Sequence, residues 1–200
     1  MSDTNQYHFI THWRFQASPE EIYDILDEPE SLVQWWPSVY RHVQVIGHDK
    51  QGDADRFALD TKGWLPYNLS WQFHTTEKIP HRRLALEAQG DFVGRGIWRI
   101  IANHDAVDVT YDWKIRAEKP LLRFFSFLLK PLFSANHHWA MAKGEESMQL
   151  ELARRRAVTP EERALVPPPP GPSNDSFFWF GVLSLALLII GVRKWLTPGK

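Results

Sequence analysis

The chain has 200 residues, 44% of them apolar, which is enough for one domain with a core and an appendage but too few for two full domains. Its formal net charge of −1 at pH 7 gives no reason to expect a polyanionic partner, so we expect no nucleic-acid binding. The sequence has no cysteine, which excludes a disulfide framework and thiolate metal sites.

The N-terminal part of the chain predicts one strand followed by two short helices. Phe9, Thr11, Trp13 and Phe15 alternate with the residues between them over 9–16, which is a mixed but strand-like pattern. Ser18, Pro19 and Glu21 then form the pattern of a capping box, with a serine N-cap, proline at the first helical position and glutamate at the third. This helix ends before Pro29, and a second one over residues 30–35 ends before Pro37.

Six further strands are predicted, and two of them carry aromatic residues on one face only. Short turn-like segments separate the strands, which lie at residues 39–46, 55–61, 67–75, 83–88, 92–101 and 107–117. Tyr67 and Trp71 share one face of the third, and Tyr111 and Trp113 share one face of the sixth. Such alternation indicates antiparallel strands whose dry face either fills a core or lines a pocket for an apolar ligand.

A long helix should cover that face. The pattern changes to helix after Pro120 and continues to about residue 156, with a kink or break expected near Pro131. Only this element is long enough to cover the sheet, although periodicity does not say whether the space between them is filled or hollow. Residues 121–133 include nine large apolar side chains, so we expect this segment either to be buried all round or to dip into a bilayer.

The C-terminal part predicts a membrane anchor. A proline-rich linker over residues 157–176 should lead away from the domain at 1–156. Sixteen uncharged residues follow from position 177, and then come Arg193 and Lys194, so we predict a membrane-spanning helix over 177–196. A C-terminal helix buried in the domain is the alternative, because the uncharged run is short for a membrane span. Since no secretory signal is visible, we expect a single-pass, tail-anchored membrane protein with a cytosolic domain.

Six segments of the chain resemble the START-like, or SRPBCC, superfamily of helix-grip proteins, and most closely its polyketide cyclase/dehydrase-like branch. These segments are FQASPEEIYDIL at 15–26, QWWP at 34–37, TKGWLPY at 61–67, GDFVGRGIW at 90–98, VTYDW at 109–113 and the pair Asn136 and His137. The resemblance covers about residues 7–155. It implies an α+β helix-grip fold, in which a curved antiparallel sheet encloses a long C-terminal helix, with a deep cavity for lipids, sterols, quinones or polyketides.

The candidate ligand-binding residues are mostly aromatic. The alternative interpretation is that these rings only fill the core. Asn136 and His137 are candidates for the polar end of a cavity, or else surface residues near Pro131, and Met141 could adapt to a ligand. The aromatic candidates are Trp35, Trp36, Trp64, Tyr67, Trp71, Trp98, Tyr111 and Trp113.

Arg95 is the one charged candidate. Strict alternation places it on the outer face of its strand, but the flanking Gly94 and Gly96 could mark a bulge that turns it inward as a counter-charge. We expect no metal or cofactor, since the nine histidines show no set of three converging ligands.

These observations favour a membrane-anchored protein that binds or carries a lipid or other hydrophobic small molecule. Acidic residues fall mostly on polar strand faces, which argues against acid/base catalysis. The alternative from a second class is a cyclase or dehydratase acting on an apolar substrate, since members of the superfamily range from carriers to enzymes and the fold does not choose between them. A partner-binding scaffold with a filled core is the third reading.

Overall fold

The computed structural model describes residues 5–118 and 120–173, and only the backbone of residues 120–129. The predicted membrane-spanning helix at 177–196 lies outside these residues. Of the helices that the structure does describe, none is both long enough and apolar enough to span a bilayer.

Seven antiparallel strands form one curved sheet, which confirms the predicted architecture. In sequence they are β1 (Gln6–Phe15), β2 (Tyr40–His48), β3 (Ala54–Thr61), β4 (Leu69–Ile79), β5 (Arg83–Gly90), β6 (Phe92–Asn103) and β7 (Ala106–Ala117). Their order across the sheet is β1-β7-β6-β5-β4-β3-β2, so consecutive strands are neighbours from β2 to β7 and β1 joins at the far edge. The prediction that Tyr67 lies within a strand is wrong, because β4 begins two residues later.

Two short helices connect the two edge strands. α1 (Pro19–Leu26) has the predicted capping box, in which Ser18 Oγ accepts from Glu21 N at 3.3 Å and a Glu21 carboxylate oxygen accepts from Ser18 N at 2.8 Å. A 3-10 turn (Pro29–Ser31) then leads into α2 (Leu32–Trp35). Ile22 and Ile25 of α1 are fully buried, so the helix is part of the core.

The long helix α3 (Pro120–Arg156) lies against the inner face of the sheet. It continues through Pro131, so the helix does not break there, and the kink that was expected as the alternative stays a prediction. Met141, Met148 and Leu152 of α3 are buried in the core. At its C-terminus Arg156 pairs with Glu21 at 2.7 Å, which fixes the end of α3 to α1.

The segment after α3 does not lead away from the domain as predicted. It forms the short helix α4 (Pro160–Leu165) and then a proline-rich stretch, residues 166–173, which we call the C-terminal strap. Arg154 donates to the carbonyl oxygen of Pro167 at 3.0 Å, and Ser173 Oγ donates to the carbonyl oxygen of Gly63 at 2.9 Å. The strap therefore returns to the loop between β3 and β4.

Close packing between α2 and α3 depends on one glycine. A Cβ atom at Gly144 would lie 2.3 Å from Cζ2 of Trp36, whose side chain is buried in the core. The backbone of α3 can therefore approach the indole of Trp36 only because position 144 has no side chain.

We predict that Gly144→Ala destabilises the domain. Replacing glycine by alanine inside a helix normally stabilises it by about 1 kcal/mol, but forcing a methyl group into a packed ring costs about 1–3 kcal/mol. The net result should be a lower free energy of unfolding, measured by urea denaturation. Gly171→Ala in the strap is the matched control, because no atom lies within 4 Å of its Cβ position. A more stable Gly144→Ala protein would contradict this packing.

Candidate functional site

A cavity of about 130 Å³ lies between the inner face of the sheet and α3. A cavity of about 150 Å³ is enough for a benzene-sized molecule, so this one has room for roughly a single ring. None of the described side chains that line it is an aspartate, glutamate, lysine or arginine. The sheet contributes mainly aromatic residues, and α3 contributes Phe133, Asn136, His137, Ala140 and Met141.

The aromatic wall follows from strand register. Trp98 of β6 pairs with Tyr111 of β7, so both rings point to the same face and stack with their centroids 4.0 Å apart. Tyr111 also stacks on Trp113 at 5.6 Å, and Trp113 contacts Trp71 at 5.8 Å. These rings contact each other and the cavity at once, so the wall is held in shape by its own packing.

Some polar atoms of the wall are satisfied within the protein. Trp71 Nε1 donates to Thr61 Oγ1 at 3.1 Å, and that hydroxyl donates to the carbonyl oxygen of Leu69 at 3.4 Å. Burial raises the pKa of Tyr40 and of Tyr111 well above its usual value, so both phenols remain neutral.

Asn136 fixes the loop over residues 62–68, between β3 and β4. Its Oδ1 accepts from the backbone N–H of Trp64 at 2.9 Å and of Leu65 at 3.2 Å. A Cβ at Gly63 would lie only 2.2 Å from the same oxygen, so glycine is needed for this approach. Asn136 and Gly63 both line the cavity. The oxygen of Asn136 therefore positions a wall of the cavity.

Two buried ring nitrogens of the wall have no hydrogen-bond partner among the described residues, Nε1 of Trp36 and Nε2 of His137. Of the two, only the nitrogen of His137 can also accept a hydrogen bond. The imidazole of His137 stacks on Phe9, with centroids 4.0 Å apart and an interplanar angle of 16°. Its Nε2 is buried and has no hydrogen-bond partner among the residues that the structure describes. Burial, helped by the neighbouring His138, lowers the pKa of His137 to about 4, so the ring is neutral at pH 7.

Nine of the twelve candidates chosen from the sequence line the cavity. They are Trp36, Tyr67, Trp71, Trp98, Tyr111, Trp113, Asn136, His137 and Met141. Trp35 and Trp64 do not line it. Trp35 is buried and stacks on Trp36 at 5.4 Å, while Trp64 contributes its backbone N–H to Asn136.

Arg95 lies outside the cavity, and the bulge that would have turned it inward is absent from β6. The strand keeps an unbroken register with both neighbours, and Arg95 pairs with Glu87 on one side and Lys114 on the other. Gly94, the residue before Arg95, is needed for strand packing and does not mark a bulge. A Cβ at Gly94 would lie 2.1 Å from the carbonyl oxygen of Lys114, so Gly94 permits close approach of two strands.

Sequence reasoning missed several residues of the wall. Phe9 shares a strand face with the buried Trp13 and Phe15, so alternation could have found it. Tyr7 lies before the predicted start of the first strand, since β1 begins three residues earlier than expected. Other lining residues that were not chosen include Tyr40, Thr61, Gly63, Phe92 and Phe133. Within the described ranges, no group of three or more histidine and acidic residues could hold a metal ion.

A curved antiparallel sheet that holds a long helix, with an apolar cavity between them, defines the helix-grip class of fold. Residues 8–137 match the model of the family described as polyketide cyclase/dehydrase and lipid transport, and the chain therefore belongs to that family. No curated protein matches the chain.

Solved structures show the same fold at low sequence identity. TTHA0849 from Thermus thermophilus is 14% identical, with a TM-score of 0.60, covering 76% of this chain and 100% of that one. The Zhui aromatase/cyclase from a Streptomyces species is 12% identical, with a TM-score of 0.59, covering 76% and 97%. A START superfamily protein from Mycobacterium smegmatis is 16% identical, with a TM-score of 0.55, covering 70% and 98%.

We predict that His137 makes the domain less stable in mild acid. The folded pKa of about 4 lies below the ordinary value of 6.5, so the unfolded chain binds more protons between these values. The stabilising contribution of neutral His137 is therefore complete above pH 6.5 and is lost as the pH falls towards 4. Urea denaturation from pH 4 to 7 should show a shallower decline for His137→Phe than for the wild type.

The comparison variant is His138→Phe, one residue further along α3 and exposed. Burial is the larger cause of the lowered His137 pKa, so this variant should still decline nearly as steeply as the wild type. An NMR titration in which the ring of His137 protonates near pH 6.5 would contradict the buried, neutral state.

Proposed function

We propose that the protein binds an uncharged, hydrophobic small molecule with at least one ring, in the cavity between the sheet and α3. The observation that carries this proposal is a hollow space walled by aromatic side chains, with no charged side chain among the described residues that line it. A charged ligand group would lose its hydration there without gaining a counter-charge, which is costly. A neutral ring would instead contact Trp71, Trp98 and Trp113.

His137 gives this ligand an orientation. A buried nitrogen without a partner is unfavourable, and a ligand hydroxyl or carbonyl group that reached Nε2 would relieve that cost. The neutral imidazole can donate or accept at Nε2, depending on its tautomer. The ligand is therefore expected to have one polar group on an otherwise apolar ring.

Catalysis of the cyclase or dehydratase type is the alternative, and the similarity to an aromatase/cyclase supports it. The chain's own residues favour binding. A base with a pKa of about 4 is weak at neutral pH, and no carboxylate lies among the described side chains that line the cavity.

We predict that His137→Leu changes the affinities for two ligands of nearly equal shape, 4-methylphenol and p-xylene, by different factors in calorimetric titrations. Loss of one hydrogen bond is worth about 0.5–1.5 kcal/mol, so the affinity for 4-methylphenol should fall by about 2- to 10-fold. The affinity for p-xylene should stay the same or rise, because it has no polar group to pair.

His138→Leu, on the exposed side of the same turn, is the matched control. An equal loss for both ligands would assign His137 a purely steric role, and failure of the wild type to bind either ligand would reject the proposed function.

We further propose that the protein is held at a membrane by residues 177–196, with the domain in the cytosol, and takes its ligand from the bilayer. The sequence supports the anchor, and the strap supports its position. Ser173 bonds to Gly63, which lines the cavity, and the predicted anchor begins four residues later in the sequence. Four residues span at most about 14 Å, so an anchor there would keep the cavity close to the bilayer.

We predict that the full chain stays in the membrane fraction after an alkaline carbonate wash, whereas a chain ending at residue 173 is released. Flotation of the shortened chain on vesicles with anionic lipid then tests the second contact expected for residues 121–133, with neutral vesicles as the control. A full chain recovered in the soluble fraction would reject the anchor.

A further inference from the structure

A second cavity of about 70 Å³ adjoins the first. Four aromatic residues line both of them: Tyr40, Trp71, Trp98 and Tyr111. A single layer of rings therefore separates the two spaces. Each of these rings therefore borders empty volume of both cavities.

The two cavities differ in chemistry. The first is lined mainly by aromatic rings, whereas the second adds aliphatic side chains such as Leu26, Leu32, Leu84 and Leu86. The second cavity has about half the volume of the first, so it has room for part of a flexible chain but not for a second large ring system.

Charged groups are found at the second cavity. Asp27 and Lys78 both line it, and Lys78 Nζ lies 2.6 Å from Asp27 Oδ1. Both side chains are partly exposed, so this ion pair lies between the second cavity and solvent. From the first cavity to the second, the lining therefore changes from aromatic rings to aliphatic side chains and then to a polar, neutralised pair.

We propose that the two cavities form one ligand path, and that the ligand is an uncharged molecule with a ring at one end and an unbranched aliphatic chain at the other. The ring occupies the first cavity, and the chain passes the Tyr40, Trp98 and Tyr111 rings into the second. This assignment rests on the proposed binding function and adds to it the class and the polarity of the ligand.

A series of 4-alkylphenols, from methyl to octyl, tests the assignment on the full-length chain by calorimetric titration. Each buried methylene contributes about 0.8 kcal/mol, which corresponds to about fourfold in affinity. Wild-type affinity should rise by this factor with each carbon until the second cavity is full, and then level off.

Leu86 lines only the second cavity, so substitutions there should move the levelling point. Leu86→Phe should make affinity level off at a shorter chain, and Leu86→Ala at a longer one, while 4-methylphenol binds both variants as it binds the wild type. Ala140→Leu, at a residue that lines only the first cavity, should weaken every member of the series. Thermal melting confirms that each variant is folded.

Two results would count against these proposals, and they can be told apart. If the wild type does not bind 4-methylphenol, the proposed function fails and the ligand path fails with it. If the wild type binds 4-methylphenol but neither Leu86 variant changes the dependence on chain length, only the continuous path is rejected.

Discussion

The structure depends on one constraint: strands that carry large rings on a single face must have that face covered. β4, β6 and β7 place Trp71, Trp98 and Trp113 on the inner side of the sheet, and α3 is the helix that lies against it. Protein interiors are normally packed with few voids, so the residues of α3 that lie opposite these rings decide where space remains. Gly144 allows α3 to approach Trp36, whereas Ala140 and Met141 face the space that remains.

The cavity between the sheet and α3 is uncharged because its wall is built mainly from apolar and aromatic side chains. Polar atoms that enter an apolar wall need partners, and the chain supplies them locally at Trp71, through Thr61, and at the loop amides, through Asn136. Nε1 of Trp36 and Nε2 of His137 differ, because neither has a partner among the described residues. The ring of His137 is held instead by stacking on Phe9. An imidazole in such a place cannot easily carry a proton, so it acts as a neutral hydrogen-bonding group.

Patterns of local origin were the ones that could be predicted from the sequence. The capping box of α1 and the alternation in β7 depend on residues two or three positions apart, and both are present in the structure. Trp71, Trp98, Tyr111 and Trp113 line the cavity for the same reason, since alternation determines the face of a strand. The other five candidates that line it lie on α3 or outside the strands, where alternation does not apply. The side of the sheet on which Arg95 lies was harder to predict, because glycines that permit close strand approach and glycines that mark a bulge look alike in a sequence.

Long-range contacts explain what could not be predicted. The bond from Ser173 to Gly63 joins residues 110 positions apart, and no local pattern in a proline-rich segment indicates where it returns to the domain. This bond acts on one particular loop, the one between β3 and β4. Asn136 holds the loop at Trp64 and Leu65 while the strap holds the same loop at Gly63, so one wall of the cavity is fixed from two separate parts of the chain.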